Sequence, residues 1–249
     1  MKAKQLFHTL AAVLSVMLSV SCSDGGKYVD YEGTVAYSYW TFSFGTVYDK
    51  LPEVDPSTFK SVNDWLGHDA KHCYFKGILI RDADVSTFEA GKYPLCRDRK
   101  DFYYMGKPMN VADISSFKIL MHNEDDVWCM DSRYAYYDTT RVEADLATFK
   151  VTGANVAIDK NNVYRYGKIL PLADPATYQE NWRGFYSRDK SHIWYLGDLM
   201  EDVDYATFKV DKNCFDSASD KYGAFQGKER VNEQSETADT VEPDSVVEE

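Results

Sequence analysis

The chain lacks any cluster of basic residues, any catalytic signature of a familiar kind, and, beyond its first twenty residues, any apolar run long enough to cross a bilayer. Lys and Arg number 28 against 40 Asp and Glu, a formal charge of −12. The basic footprint that holds a phosphate backbone is therefore missing, and no nucleic-acid partner is expected. There is no Gly-x-Ser-x-Gly elbow, no phosphate-cradling glycine loop and no His-Glu-x-x-His pair. The five cysteines never fall into a Cys-x-x-Cys arrangement, which removes the usual zinc and dithiol motifs.

The two ends differ sharply. Lys2 and Lys4 precede a mostly apolar stretch from Leu6 to Val20 that ends in small residues, the pattern of an export signal. Leu18-Ser19-Val20-Ser21-Cys22 resembles a relaxed bacterial lipobox, with Ser19 departing from the usual aliphatic choice. Residues 1–21 then form a lipoprotein signal peptide, and Cys22 carries palmitate-like acyl chains. At about 0.8 kcal/mol per buried methylene, more than one such chain anchors stably. The alternative is an ordinary secretory signal with a chance cysteine. At the other end, residues 229–249 hold eight acidic residues, one arginine and no aromatic. Such a segment cannot bury enough apolar surface to order itself, so a disordered acidic tail is expected. It carries most of the chain's net charge.

Between the ends, Asp-x-x-Thr/Ser-aromatic occurs six times, ending at Phe59, Phe88, Phe117, Phe149, Tyr178 and Phe208. The aromatics stand 29, 29, 32, 29 and 30 residues apart, and a period of this size signals a repeat architecture. A second aspartate recurs at Asp69, Asp98, Asp131, Asp159, Asp189 and Asp220. Five residues after each comes an aromatic: Tyr74, Tyr103, Tyr136, Tyr164, Trp194 and Phe225. Two residues before each stands a small residue: Gly67, Cys96, Cys129, Ala157, Ser187 and Ala218. Glycine follows at Gly77, Gly106, Gly167 and Gly197, with Asp138 taking that place in a repeat read as one residue shorter.

These residues resemble the DKNYY repeat family over roughly Val47 to Lys228, best at Asp159-Lys160-Asn161-Asn162-Val163-Tyr164 and Ala173-Asp174-Pro175-Ala176-Thr177-Tyr178. The resemblance implies architecture and an envelope setting, with no general activity attached. The first copy is degenerate, and the last is expected to end after its hairpin. Residues 22–46 are read as anchor linker and degenerate start of the repeats, 47–228 as the repeat domain.

Elementary chemistry assigns each piece a role. Asp-Lys-Asn favours a turn capped by its own aspartate, and the aromatic run that follows has strand propensity. The glycine supplies a second tight turn. Asp-Pro-x-Thr reads as one helical turn with Asp as N-cap, its carboxylate meeting the Thr amide. The fold class is therefore an all-β repeat protein of about six antiparallel meanders of about thirty residues, each with a short helical turn. An elongated stacked array is favoured, and propeller-like closure is the alternative. Each column aromatic buries 150–250 Å², roughly 4–6 kcal/mol as an upper bound. No single meander can close a core, so neighbours must share one.

Other candidate chemistry has a plainer reading beside it. Cys96 and Cys129 occupy the small-residue column, where they serve as small buried residues or, in an oxidising compartment, as a disulfide. His68, His72, Asp69 and Cys73 offer a superficial metal cluster, but the repeat places them around a turn. The acidic runs at Glu124-Asp125-Asp126 and Asp211 to Asp220 lack the pattern of a calcium loop. The recurring aspartates obey the symmetry that a glycosidase pair would break. No catalytic residue, metal or cofactor is expected. The chain reads as a non-catalytic lipoprotein, lipid-anchored in the cell envelope at the outer membrane of a Gram-negative bacterium, that serves as an interaction or scaffold module for an envelope protein partner. The alternative is a carbohydrate-binding module using Trp40, Trp65, Trp128, Trp182 or Trp194.

Overall fold

The computed structural model describes residues 25–123, 126–180, 185–214 and 216–231. The signal peptide, Cys22, most of the acidic tail, Trp182 and the Glu124-Asp125 pair lie outside the described residues. The chain divides into two compact bodies, one ending at Glu143 and the other beginning at Ala144. Within the described residues every extended element belongs to a small antiparallel meander, and the only helical segments are single 3-10 turns at Val85–Thr87 and Ile114–Ser116.

The first body opens with a three-stranded sheet: β1 (Lys27–Tyr31), β2 (Thr34–Thr41) and β3 (Gly45–Lys50). From Lys27 onward, the segment expected to hold an anchor linker and a degenerate start of the repeats is built as a sheet. Alternation along Tyr28 to Tyr39 folds these residues as an additional meander, which shares a cluster with the first repeat through Val35, Leu51, Val54 and Tyr74. Three four-stranded repeats follow. They are β4–β7 (Lys60–Ser61, Leu66–His68, Cys73–Phe75, Ile78–Ile80), β8–β11 (Glu89–Ala90, Leu95–Arg97, Phe102–Tyr104, Lys107–Pro108) and β12–β15 (Lys118–His122, Val127–Met130, Ala135–Tyr137, Thr140–Val142).

The second body holds three more. They are β16–β19 (Lys150–Val151, Val156–Ile158, Val163–Arg165, Lys168–Ile169), β20–β23 (Gln179–Glu180, Tyr186–Arg188, Ile193–Tyr195, Asp198–Leu199) and β24–β27 (Lys209–Val210, Ser217–Asp220, Gly223–Gln226, Glu229–Arg230). The structural repeat thus begins at the Asp-x-x-Thr/Ser-aromatic turn and runs through four strands. On that frame the last copy is complete, not truncated. Glu229 and Arg230, assigned by composition to the tail, form β27 and pair with Gln226 and Phe225. A window dominated by acidic residues hid one arginine that belongs to the fold.

Register explains the small-residue column. Gly67 lies directly opposite Tyr74, Cys96 opposite Tyr103, Cys129 opposite Tyr136, Ala157 opposite Tyr164, Ser187 opposite Trp194 and Ala218 opposite Phe225. The motif aromatic fills the space left over. In five repeats it tilts against the column aromatic with ring centroids 6.0–6.4 Å apart. A Cβ on Gly67 would come within 2.5 Å of the Phe59 ring.

Neighbouring repeats share their cores. Cys73, Phe75 and Ile80 of the first repeat cluster with Cys96 and Tyr103 of the second. Leu95, Tyr104 and Met109 of the second cluster with Val127, Cys129 and Tyr136 of the third. In the second body Val156, Val163 and Leu170 meet Trp194, and Tyr186, Ile193 and Met200 meet Ala218 and Phe225. Turn glycines seal these seams: Gly106 has φ +75, and a Cβ there would lie 2.8 Å from Phe75 Cβ in the preceding repeat. The third repeat departs from this, though not by a shorter turn. Its hairpin also spans two residues, Asp138 (φ +51) and Thr139, so Thr139 stands at the glycine position and Asp138 one place earlier.

Candidate functional site

The repeated aspartates form the most regular polar structure in the molecule. Asp69, Asp98, Asp131, Asp159 and Asp189 are all nearly fully buried. In each, Oδ1 accepts the backbone N–H groups two and three residues ahead, at 2.7–2.9 Å, closing the turn that Asp-Lys-Asn predicts. Oδ2 reaches back to the start of the same repeat. It accepts the backbone N–H of the aspartate that opens the first motif: Asp55, Asp84, Asp113, Asp145 and Asp174, at 2.6–3.2 Å. Asp220 does the same for Asp204 at 2.8 Å. The two aspartate motifs therefore grip one another.

Two further contacts complete the clasp. The Thr or Ser hydroxyl of the first motif accepts the N–H of the residue just after the turn aspartate, in all six repeats. That residue's side chain then returns to the first aspartate: Lys160 to Asp145 at 2.6 Å, Lys190 to Asp174 at 2.7 Å, Lys221 to Asp204 at 2.8 Å and Arg99 to Asp84 at 2.7 Å. These outer pairs are largely solvated and contribute little individually. The first aspartate caps its own turn, as expected. Its Oδ1 takes the N–H two residues on in four repeats and the Thr amide, three on, only at Asp145 and Asp204.

The fourth donor to the clasp comes from the aromatic column. Tyr74, Tyr103, Tyr136 and Tyr164 donate their hydroxyls to Oδ2 of the aspartate five residues earlier, at 2.7–3.1 Å. Trp194 has no hydroxyl, and there His192 Nδ1 lies 3.4 Å from Asp189 Oδ2. Phe225 has none either, and Arg230 holds Asp220 in a two-pronged grip at 2.8 and 2.9 Å. Sequence reasoning placed both columns but missed this bond. The available signal was the fixed spacing of five from Asp to Tyr.

Electrostatics follow from the geometry. Burial pushes the clasp aspartates up, but the donated amides outweigh it and hold them below the usual carboxylate value. Burial, and then the bond to the aspartate, pushes the Tyr136 and Tyr164 hydroxyls up to about 12. The clasp carboxylates are thus ionised, buried and saturated. Outside the clasp the balance reverses: burial raises Asp138 to about 6, against the pull of the Val127 amide, and burial raises Asp101 as well.

A protein-family model described as the DKNYY family matches residues 16–104 and 124–196, more than half of the chain. The chain belongs to the DKNYY family. Its motif letters now have physical meanings: the aspartate takes four donors, the lysine returns to the partner aspartate, and the tyrosine supplies a hydroxyl. The gap in the match falls where the third repeat has its longer, bulged first strand, between Ile119 and Met121. The DKNYY architecture also continues past residue 196 through Arg230. No curated protein and no solved structure matches the chain.

The remaining candidates separate in this frame. His68 Nδ1 lies 3.0 Å from the Asp69 carbonyl, Asp69 is already saturated, and Cys73 is buried in the core. Among the described residues no group of three His, Cys, Asp or Glu is arranged to hold a metal. Cys73, Cys96, Cys129 and Cys214 are free thiols. The Cys96–Cys129 bridge is not formed, since each faces the aromatic of its own sheet in a different cluster. Trp128 and Trp194 are buried, Trp65 packs edge-on against Phe75 and Tyr93, and Trp40 is exposed. No described helix is long and apolar enough to cross a membrane.

Proposed function

We propose that this DKNYY chain is a non-catalytic lipoprotein of the cell envelope, tethered through Cys22 at the outer membrane, whose repeats present a surface to another envelope protein. One observation carries the non-catalytic part. The carboxylates that recur most conspicuously are spent inside the fold on backbone amides and hydroxyls, which leaves them neither a free lone pair nor a raised pKa for acid–base work. Their regularity matches a structural duty. Tethering rests on the lipobox and on the apolar stretch before it.

The test is affinity capture of the tagged full chain from detergent-solubilised envelopes after mild cross-linking, with the intact mass of the recovered chain read alongside. The expected result is an N-terminal acylated Cys22 and one recurrent stoichiometric partner. A mature chain without acyl mass would refute the anchor, and repeated capture of nothing specific would refute the interaction role. A carbohydrate-binding role is the second reading, and the exposure of Trp40 keeps it in view. Of the described tryptophans only that ring is open for stacking on a sugar, so a glycan array with the parent chain and Trp40→Ala decides it.

A further inference from the structure

The hairpin joining β2 to β3 carries a cluster of rings that the fold does not use. Phe42 is 89% exposed, Phe44 81% and Trp40 40%, with Trp40 and Phe42 in edge contact at 5.3 Å. Single exposed hydrophobic residues are ordinary; three large rings at one tip are not. From Tyr39 to Tyr48 there is no charged residue, in a chain that is 27% charged. The Thr41 hydroxyl is engaged by the turn itself. Thr41 Oγ1 accepts the Phe44 N–H at 3.2 Å and donates to the Gly45 carbonyl at 3.4 Å.

Strand pairing fixes where this tip points. Lys27, at the start of β1, lies opposite Ser38, and β2 continues for three more residues to Thr41 before the turn. The tip therefore projects from the end of the sheet at which the chain arrives from Cys22. Five backbone steps separate Cys22 from Lys27, a reach of at most about 18 Å. The four steps from Ser38 to Phe42 cover roughly 13 Å in the same direction. After Lys50 the chain leaves the sheet at its opposite end, next to the β1–β2 turn.

We infer that this hairpin is a second membrane contact: Trp40, Phe42 and Phe44 enter the interfacial layer of the bilayer that holds Cys22. The inference rests on the anchor proposed above. Aromatic rings favour that layer, where an apolar body and a polar edge are both accommodated. A sugar site would instead need convergent polar groups beside the rings, and here Thr41 is already engaged. Two attachments orient the N-terminal sheet on the membrane, whereas a single lipid would let it swivel.

The experiment uses the full chain, produced with its own signal and reconstituted into phosphatidylethanolamine–phosphatidylglycerol vesicles whose acyl chains are brominated. The expected result is partial quenching of tryptophan emission. That quenched portion is lost in Trp40→Phe and falls severalfold in Phe42→Asp/Phe44→Asp, while both variants remain vesicle-bound through Cys22. Parent emission that is unquenched, or quenching unchanged in Trp40→Phe, overturns the proposal. So does a Trp40 that ignores the brominated lipid but responds to an envelope glycan. Intact mass keeps the two readings apart: an unacylated Cys22 refutes the anchor, yet quenching of Trp40 in that unacylated chain still supports the tip, and its absence still overturns it.

Discussion

The fourth and sixth repeats hold the same buried carboxylate by different chemistry. Asp159 takes the Asn161 and Asn162 amides at 2.7 Å, the Asp145 amide at 2.8 Å and the Tyr164 hydroxyl at 2.8 Å. Asp220 keeps the amides of Tyr222 and Asp204, both at 2.8 Å, but has Phe225 where the hydroxyl should be. Arg230 faces Phe225 across the last strand pair, lays its guanidinium 4.3 Å over that ring and closes on both oxygens of Asp220. What the repeat preserves is therefore a donor for the second oxygen, not a tyrosine. The difference also tunes charge. Asp159 is lowered by neutral donors working against burial, while Asp220 is lowered further, first of all by the guanidinium.

The largest break in this comparison is Asp159→Ala, which strands three backbone amides and a buried hydroxyl. It should cost about 3–5 kcal/mol of unfolding free energy in a urea titration. A loss within about 1 kcal/mol would mean that water replaces the carboxylate freely and that the clasp is incidental. Next comes Tyr164→Phe, which removes one of the four donors and keeps the ring. A loss of about 1–2 kcal/mol is expected. Arg230→Met then asks the same question of the sixth repeat, at a partly exposed site. The expected fall in Tm is ~2–4 °C, and adding Phe225→Tyr should recover part of it by rebuilding the fourth repeat's arrangement. No recovery in the double variant would show that Arg230 acts through its packing on Phe225 alone.

Much of this was legible because it occurs six times. Periodicity alone exposed the turn aspartates, the aromatic column and the small residues that prove to be their direct cross-strand partners. It also placed Tyr103, Tyr136 and Tyr164 in one equivalent buried setting. The grip between the two aspartate motifs was not legible. One partner contributes only its backbone N–H, which leaves no side-chain signature, and the loop between them varies from 14 residues at Asp55–Asp69 to 18 at Asp113–Asp131. The sheet at Lys27–Lys50 was legible only as a linker and a degenerate start of the repeats, for the opposite reason: it has no second copy. Arg230 was concealed by composition averaged over a tail to which it does not belong.

The smallest expected effect concerns a carboxylate outside the clasp whose pKa is raised rather than lowered. Asp138 occupies a hairpin position held elsewhere by Lys76, Met105, Tyr166 and Leu196, all at positive φ. Its Oδ1 accepts the Val127 N–H at 3.0 Å, and burial raises its pKa to about 6, with the nearby Asp126 charge adding to that. A folded pKa above the unfolded value means that the fold prefers the protonated group. The resulting stabilisation is complete below about pH 4 and is lost as pH rises through about 6. The clasp aspartates run the other way, stabilising at neutral pH and failing as acid protonates them. Asp138→Asn keeps an acceptor for Val127 and a residue tolerant of positive φ, and removes only the charge. It should therefore gain about 1 kcal/mol near pH 7.5, a figure reduced for partial solvent exposure, and nothing near pH 4. Urea titrations at both pH values measure the difference. An equal gain at each would assign the effect to shape, and the buried-charge account of Asp138 would fail.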